Sequence, residues 1–282
     1  MPQPVLNILT LIQTPALAEA CAQWLKGGRY QLVALDPTTD PLAQLEQRCE
    51  DVDGLLLEEG AVVESFFGTM HERGLELPAV LIGPVSGDVL FHGAEVRLPP
   101  DQLEQLSYSL DAAVSRFLRS HTPPSSSEAQ AATPDGWKLS NRLNGRLGYL
   151  SVYYKRDPSR FLRNLEAEER TELLDSLRRS YRDLLISYFK DPATANQAIE
   201  SFVNTAFFAD LPITKMVEIH MNLIEEFWKQ LMLKGQKNDF LQDYRLALLD
   251  VMAHLCEMYR RSIPADVPIV PSPMSETTSP SA

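Results

Sequence analysis

An α/β domain joined by a linker to an all-α bundle is the architecture that this chain of 282 residues predicts. Three features carry the prediction. Short apolar runs alternate with amphipathic segments from Val5 to about Arg119, the pattern of a parallel sheet covered by helices on both faces. His121–Gly136 is rich in Pro, Ser and Ala with almost nothing to bury, and reads as a linker. Beyond residue 166 lie four long segments with apolar residues three to four apart and short connections between them, which is how an antiparallel bundle is written. The length is comfortable for two domains.

In order, Val5–Ile12 predicts a strand, Ala16–Lys26 a helix stopped by Gly27-Gly28, and Tyr30–Leu35 a second strand. Pro41–Glu50 predicts a helix, Gly54–Leu57 a third strand, Val62–Arg73 a helix and Ala79–Ile82 a fourth strand. Gly83–Gly93 is too rich in Gly and Pro for a good helix, and Glu95–Leu98 is a weaker fifth strand. The strongest helix follows, with Leu103, Leu106, Leu110, Val114 and Phe117 on one face and Pro100-Asp101 at its start. Five strands in this space suit a flavodoxin-like order. Leu147–Tyr154 reads equally as a short strand or an extended arm, and Lys155–Pro158 breaks any helix.

The bundle helices are expected near Glu168–Phe189 (Leu174, Leu177, Tyr181, Leu184, Leu185, Tyr188), near Ala193–Ala209 (Ile199, Phe202, Val203, Ala206), from Pro212 to Lys234 (Ile213, Val217, His220, Ile224, Phe227, Leu231) with Gly235 closing it, and over Asn238–Arg261. The chain thus divides into residues 1–120, a linker and arm 121–166, a bundle 167–263, and a Pro-, Ser- and Thr-rich tail 264–282 expected to be disordered. The last helix is apolar over too wide an arc. Stepping about 100° per residue from Leu248, Leu241, Tyr244, Val251, Met252, Leu255, Met258 and Tyr259 fall within about 80°, and only Asp243, Asp250 and Glu257 make a clear polar stripe. Either this helix lies at the bundle centre or it has a second apolar contact, with another chain.

The net charge of −12 is unevenly placed: residues 1–137 hold 7 Lys and Arg against 19 Asp and Glu, and the remainder is balanced. An acidic first half argues against a nucleic-acid partner. The basic cluster Lys155-Arg156, Arg160, Arg163 fits a solvated linker face or an acidic protein partner. No apolar run is long enough to cross a membrane as a helix, and the N-terminus lacks the pattern of a secretion signal. Cys21, Cys49 and Cys256 are few, odd in number and far apart. They fit buried thiols in a cytoplasmic protein.

The most informative string is Asp53-Gly54-Leu55-Leu56-Leu57-Glu58. A buried strand with a carboxylate at its end is how receiver domains present their phosphate acceptor, but the acceptor there is Asp and here it is Glu58. Receiver chemistry also needs an acidic pair for Mg²⁺ after the first strand, a hydroxyl after the fourth and a Lys after the fifth. This chain has Gln13-Thr14-Pro15, Ile82-Gly83 and Leu98-Pro99-Pro100 there, and no Lys between Lys26 and Lys138. The first domain is therefore expected to keep the scaffold without the chemistry. Glu58-Glu59 reads as a solvated loop pair more readily than as a cation site. Nucleotide-binding glycine patterns, a zinc helix and C-x-x-C are absent. His220 is expected to be a hydrogen-bonded core histidine, whereas His254 borders the apolar arc of the last helix, where a partner peptide could be gripped.

Three long strings carry a resemblance: Leu147–Leu165 (LGYLSVYYKRDPSRFLRNL), Ser201–Met221 (SFVNTAFFADLPITKMVEIHM) and Asp243–Pro264 (DYRLALLDVMAHLCEMYRRSIP). Through them the second half resembles the cyanobacterial circadian clock family KaiA. The first half is similar to that family's pseudo-receiver domain in length and strand order. The resemblance implies a homodimer built through the four-helix bundle, with pseudo-receiver domains exchanged between chains. It implies a non-enzymatic role: binding the C-terminal peptide of the autokinase KaiC, stimulating KaiC autophosphorylation, and being sequestered in a KaiB–KaiC complex. It implies no required cofactor, with an oxidised quinone as an occasional ligand. Arg245, Val251, His254 and Met258 are then expected to line or border the peptide groove, with Tyr153 and Tyr154 in an arm beside it. Two competing functions are a phosphotransfer regulator in which Glu58 mimics a phosphorylated Asp, and a quinone-responsive redox sensor with the bundle as a dimeriser.

Overall fold

The computed structural model describes residues 5–36, 39–48, 51–85, 95–121, 143, 156–234 and 243–262. The first domain is a sheet of five parallel strands: β1 (Leu6–Leu11), β2 (Tyr30–Ala34), β3 (Gly54–Glu58), β4 (Ala79–Ile82) and β5 (Glu95–Leu98), in the order β2-β1-β3-β4-β5. That is the flavodoxin-like order expected from the sequence. Helices α1 (Pro15–Trp24), α2 (Pro41–Arg48), α3 (Ala61–Glu72) and α4 (Leu106–His121) flank the sheet. Leu55, Leu56 and Leu57 of the central strand are fully buried, because helices cover both faces of a parallel sheet. Gly27 ends the first crossover helix at φ +76°, a left-handed conformation that glycine adopts without strain.

The second region holds the four expected helices, α5 (Ala167–Ser187), α6 (Pro192–Phe208), α7 (Ile213–Leu233) and α8 (Tyr244–Ser262). Asp191 caps α6 with its carboxylate on the amides of Ala193 and Thr194, ahead of Pro192 in the first turn. Tyr181 and His220 meet inside the bundle, with the Tyr hydroxyl 3.1 Å from Nδ1. His220 is thus the core histidine that was expected, and burial lowers its pKa.

Three details depart from expectation. The strong helix opens as a 3₁₀ turn over Leu103–Gln105 and becomes α-helical only at Leu106. The buried side of α7 is Met216, Ile219, His220 and Leu223, which turns Ile213 and Val217 outward. Cys256 is exposed, not buried, because it faces away from the bundle on α8. His121, read as the start of the linker, closes α4, while the rest of the linker to Gly136, the Leu147–Tyr154 string, Cys49, the tail after Ser262, and Gly235 with the predicted start of the last helix lie outside the described residues.

The two regions meet along α4 and α6. α4 is buried on nearly every side: its apolar face covers the sheet, while Ser107, Ser109, Asp111 and Ser115 are buried as well. Gln105, fully buried, is the hub of this contact. Its Nε2 donates to Ser176 Oγ (2.9 Å) and Ser180 Oγ (2.6 Å), and its Oε1 accepts from Thr205 Oγ1 (2.7 Å). Ser180 donates in turn to Gln102 Oε1 at 2.6 Å. At the rim Arg116 pairs with Glu200 and Arg179 with Glu104.

Candidate functional site

At the carboxyl ends of β1 and β3, where a receiver domain would take phosphate, Glu58 is already committed. One carboxylate oxygen accepts from the amides of Gln13 (2.7 Å) and Thr14 (2.8 Å), and the other from the Thr14 hydroxyl (2.5 Å). Thr14 is the N-cap of α1, so Glu58 satisfies amides that a helix start leaves unpaired. Partial burial works to raise the pKa of Glu58, but the three hydrogen bonds outweigh it and the net shift is downward. Its neighbour Glu59 turns the other way, onto Arg97 Nη1 at 3.1 Å. Arg97 also holds Glu95 (3.1 Å) and the Pro84 carbonyl (3.2 Å). Gly83 makes room for this: a Cβ there would sit 2.1 Å from a Glu59 carboxylate oxygen. Glu58 and Glu59 therefore part, one to a helix start and one to a buried arginine. Among the described residues no group of three or more His, Cys, Asp or Glu side chains could hold a metal ion. Both carboxylates at this end of the sheet are thus engaged by the protein's own groups.

The other candidate surface is on the bundle. Along α8, Ala247, Val251 and Leu255 point into the core. Val251, expected at a groove, is fully buried instead, because it lies on the helix face that closes on α6. Leu246 and Leu249 are on the opposite side, Leu249 with 64% of its surface exposed, followed by exposed Ala253 and Cys256. Spacings of three and four residues put these four side chains in one outward stripe. The helix is not at the bundle centre; it has one apolar face inside and a second one outside. α7 has the same property. Val217, Met221, Trp228 and Met232 recur at multiples of a helical turn and are all exposed, Met221 by 60%. Isolated exposed apolar side chains are ordinary, but a stripe of them along a helix is not, and α7 and α8 each carry one.

His254 is exposed on α8, its Nδ1 2.9 Å from the Asp250 carbonyl, which leaves Nε2 outward. Met258 is half-buried beside the core and lies about 40° from His254 around the helix. Arg245 is exposed but lies about 180° from His254 around the helix and more than two turns away. His254 and Met258 therefore share an edge that Arg245 does not. Tyr153 and Tyr154 fall outside the described residues. Of the basic cluster, Lys155 lies outside the described residues and Arg163 is exposed, but the three arginines all have partners. Arg156 and Arg163 pair with Asp210 (2.7 and 3.1 Å), and Arg160 donates to Ser107 Oγ (2.6 Å). Sequence reasoning missed the α7 stripe, although the spacing of Val217, Met221, Trp228 and Met232 was there to be read.

Fold and site define a two-domain protein in which a receiver-type scaffold, stripped of its acceptor chemistry, rides on a helical bundle with an apolar outer face. Residues 6–123 match the family model described as the circadian clock protein KaiA N-terminal domain, and residues 145–266 match that of the KaiA C-terminal domain. The chain belongs to the KaiA family. It is 55% identical over 276 residues to the circadian clock oscillator protein KaiA of Parasynechococcus marenigrum, covering 95% of this chain and 93% of the relative. It is 41% identical over 282 residues to that of Synechococcus elongatus, covering 90% and 96%. Among solved structures, the crystal structure of the C-terminal domain of Thermosynechococcus elongatus BP-1 KaiA matches at 48% identity, covering 36% of this chain and 95% of that one, with a TM-score of 0.32. No helix among the described residues is long and apolar enough to cross a membrane.

Proposed function

We propose that this chain is a non-enzymatic activator in a circadian oscillator, working as a cytoplasmic homodimer that grips the C-terminal peptide of KaiC and so raises KaiC autophosphorylation. The observation that carries this reading is the pair of outward apolar stripes on α7 and α8. The occupant of the Leu246–Leu249–Ala253–Cys256 stripe is a second copy of the chain: a helix with two apolar faces suits a symmetric contact. The peptide lies along the seam beside it, with His254 and Met258 on the bordering edge. Arg245 is a distal contact, and Tyr153 and Tyr154 belong to an arm that completes the groove. Activation follows if the dimer prefers one conformation of the KaiC tail, the shift being limited by that difference in affinity. KaiB, in complex with KaiC, opposes the action by sequestering the dimer. No cofactor is required, and an oxidised quinone acts only as a modulating ligand.

The interface between α4 and α6 is equally available to a receiver-like domain from the same chain or from the partner, since its residues are the same in either case. Exchange between the two copies is the arrangement proposed for the dimer. The committed state of Glu58 speaks against the phosphotransfer alternative. The test is a titration of a synthetic KaiC tail peptide. His254→Ala is expected to lower affinity about tenfold, on the order of 1.4 kcal/mol; unchanged affinity removes His254 from the site.

A further inference from the structure

The segment that enters the bundle is held at several points, by Arg160 on Ser107 and by Arg163 on Asp210 among them, and one of its side chains, Arg156, also reaches α8. The guanidinium of Arg156 lies 4.9 Å from the ring centroid of Phe207, 5.0 Å from Phe161 and 5.4 Å from Tyr259. Its Nη1 donates to the Phe207 carbonyl (3.1 Å) and to Asp210 Oδ1 (2.7 Å). Phe207 meets Tyr259 edge-on, with centroids 5.0 Å apart. Asp210 takes a left-handed backbone at φ +53°, uncommon outside glycine and tolerated by Asp. Its second oxygen holds Arg163 at 3.1 Å, and Arg163 covers Phe161 in turn (5.1 Å).

Three chain segments therefore converge on one cation: the entry segment, the end of α6 and the last turns of α8. After Leu255 the helix has no fully buried apolar side chain among the described residues. Its final turns are held by half-buried Met258 and Tyr259. A planar, delocalised cation lies close to three rings while one of its nitrogens, Nη1, serves both a carbonyl and a carboxylate; an ammonium could keep those two bonds but not the flat contact with the rings.

We infer that Arg156 is a positioning residue for the partner-binding edge of α8, acting through Tyr259 to fix the rotation and pitch at which His254 and Met258 are presented. This rests on the reading of that edge as the peptide contact. Nothing in it requires Arg156 to touch the peptide. It predicts a loss of affinity that is separable from folding and from self-association.

The experiment compares the full chain with Arg156→Lys and Phe161→Leu in three measurements: affinity for the KaiC tail peptide, mass in solution, and amide exchange along α8. Arg156→Lys keeps the charge and loses the planar contact with the three rings. It is expected to bind the peptide about tenfold more weakly, with faster exchange at residues 257–262 and unchanged exchange in α5 and unchanged mass. Phe161→Leu, which thins the cage by one ring, is expected to lose about threefold. If the lysine variant does not fold, the Phe161 variant decides alone. Wild-type affinity in the folded variants overturns the inference, whether or not exchange at the helix end rises. If the unaltered chain itself ignores the peptide, the failure belongs to the functional reading, and the positioning role falls with it.

Discussion

Replacing Gln105 by Leu should undock the receiver-like domain without unfolding it. The side chain is fully buried and makes three short hydrogen bonds, to Ser176 (2.9 Å), Ser180 (2.6 Å) and Thr205 (2.7 Å). Leucine fills similar space but answers none of them. A net hydrogen bond contributes about 1 kcal/mol, and an orphaned buried group costs about 1–3 kcal/mol. Ser180 limits the damage, because it still donates to Gln102 at 2.6 Å, and Thr205 can turn to a carbonyl of its own helix. The expected penalty is about 2–4 kcal/mol. Nearly all of it falls on docking, since the bonds join α4's leading turn to α5 and α6 rather than holding either region together. That corresponds to roughly 30- to 1,000-fold in the docking equilibrium. Hydrogen exchange reads it directly: amides of residues 103–116 and 195–206 should lose protection in the variant, while β1, β3 and the interior of α5 keep theirs. Unchanged protection on both sides of the contact would mean that Gln105 does not hold the two regions together.

Other expectations follow from the same geometry. Gly83→Ala forces Glu59 off Arg97, which is left with Glu95 and the Pro84 carbonyl; overpacking of this kind costs about 1–3 kcal/mol, and a lowered urea midpoint would check it. Burial depresses the pKa of His220, so its stabilising neutral state is fully present above the unfolded value of about 6.5 and is lost as pH falls toward the folded value. The melting temperature should therefore drop more steeply between pH 7 and 5 than in His220→Gln, and parallel slopes would exclude the idea. Glu58, whose pKa is lowered, adds a separate acid loss below about pH 4.3. Leu249→Asp places a charge at the centre of the outward stripe of α8 and should shift the chain toward monomer in light scattering, with helix content unchanged.

Apolar periodicity made most of the fold legible. The runs Leu6–Leu11, Leu55–Leu57 and Ala79–Ile82 have no stable home except a covered parallel sheet, and their order followed. The bundle was legible for the same reason. What stayed hidden is polar. Ser107, Ser109 and Gln105 lie outside the apolar stripe of α4, yet all are buried: hydroxyls of Ser176, Ser180 and Thr205 meet Gln105, Arg160 meets Ser107, and Ser109 donates to the Gln105 carbonyl. Sequence marks a polar side chain as hydrophilic, not as matched. The face of α7 was misjudged for a related reason: Val217 and Met216 are both apolar, and only packing decides which of two adjacent stripes goes inward. Val251 was assigned to a groove on the strength of a broad arc, and the arc turned out to be two faces. At the receiver-type position the missing chemistry was plain from residue types alone, but not the use made of what remained. Glu58 as a cap on α1 depends on a contact across 44 residues, which no local pattern announces. Arg156, Arg160 and Arg163 looked free as a cluster because their partners, Asp210 and Ser107, are equally remote in sequence.

In the function proposed above, this molecule acts by holding a kinase's tail. Purified KaiC incubated with ATP, with and without an equimolar amount of the full chain, tests it most directly through the fraction of KaiC that carries phosphate. The account predicts a higher plateau in the presence of the chain, lowered again by His254→Ala. Equal phosphorylation in all three samples would contradict it.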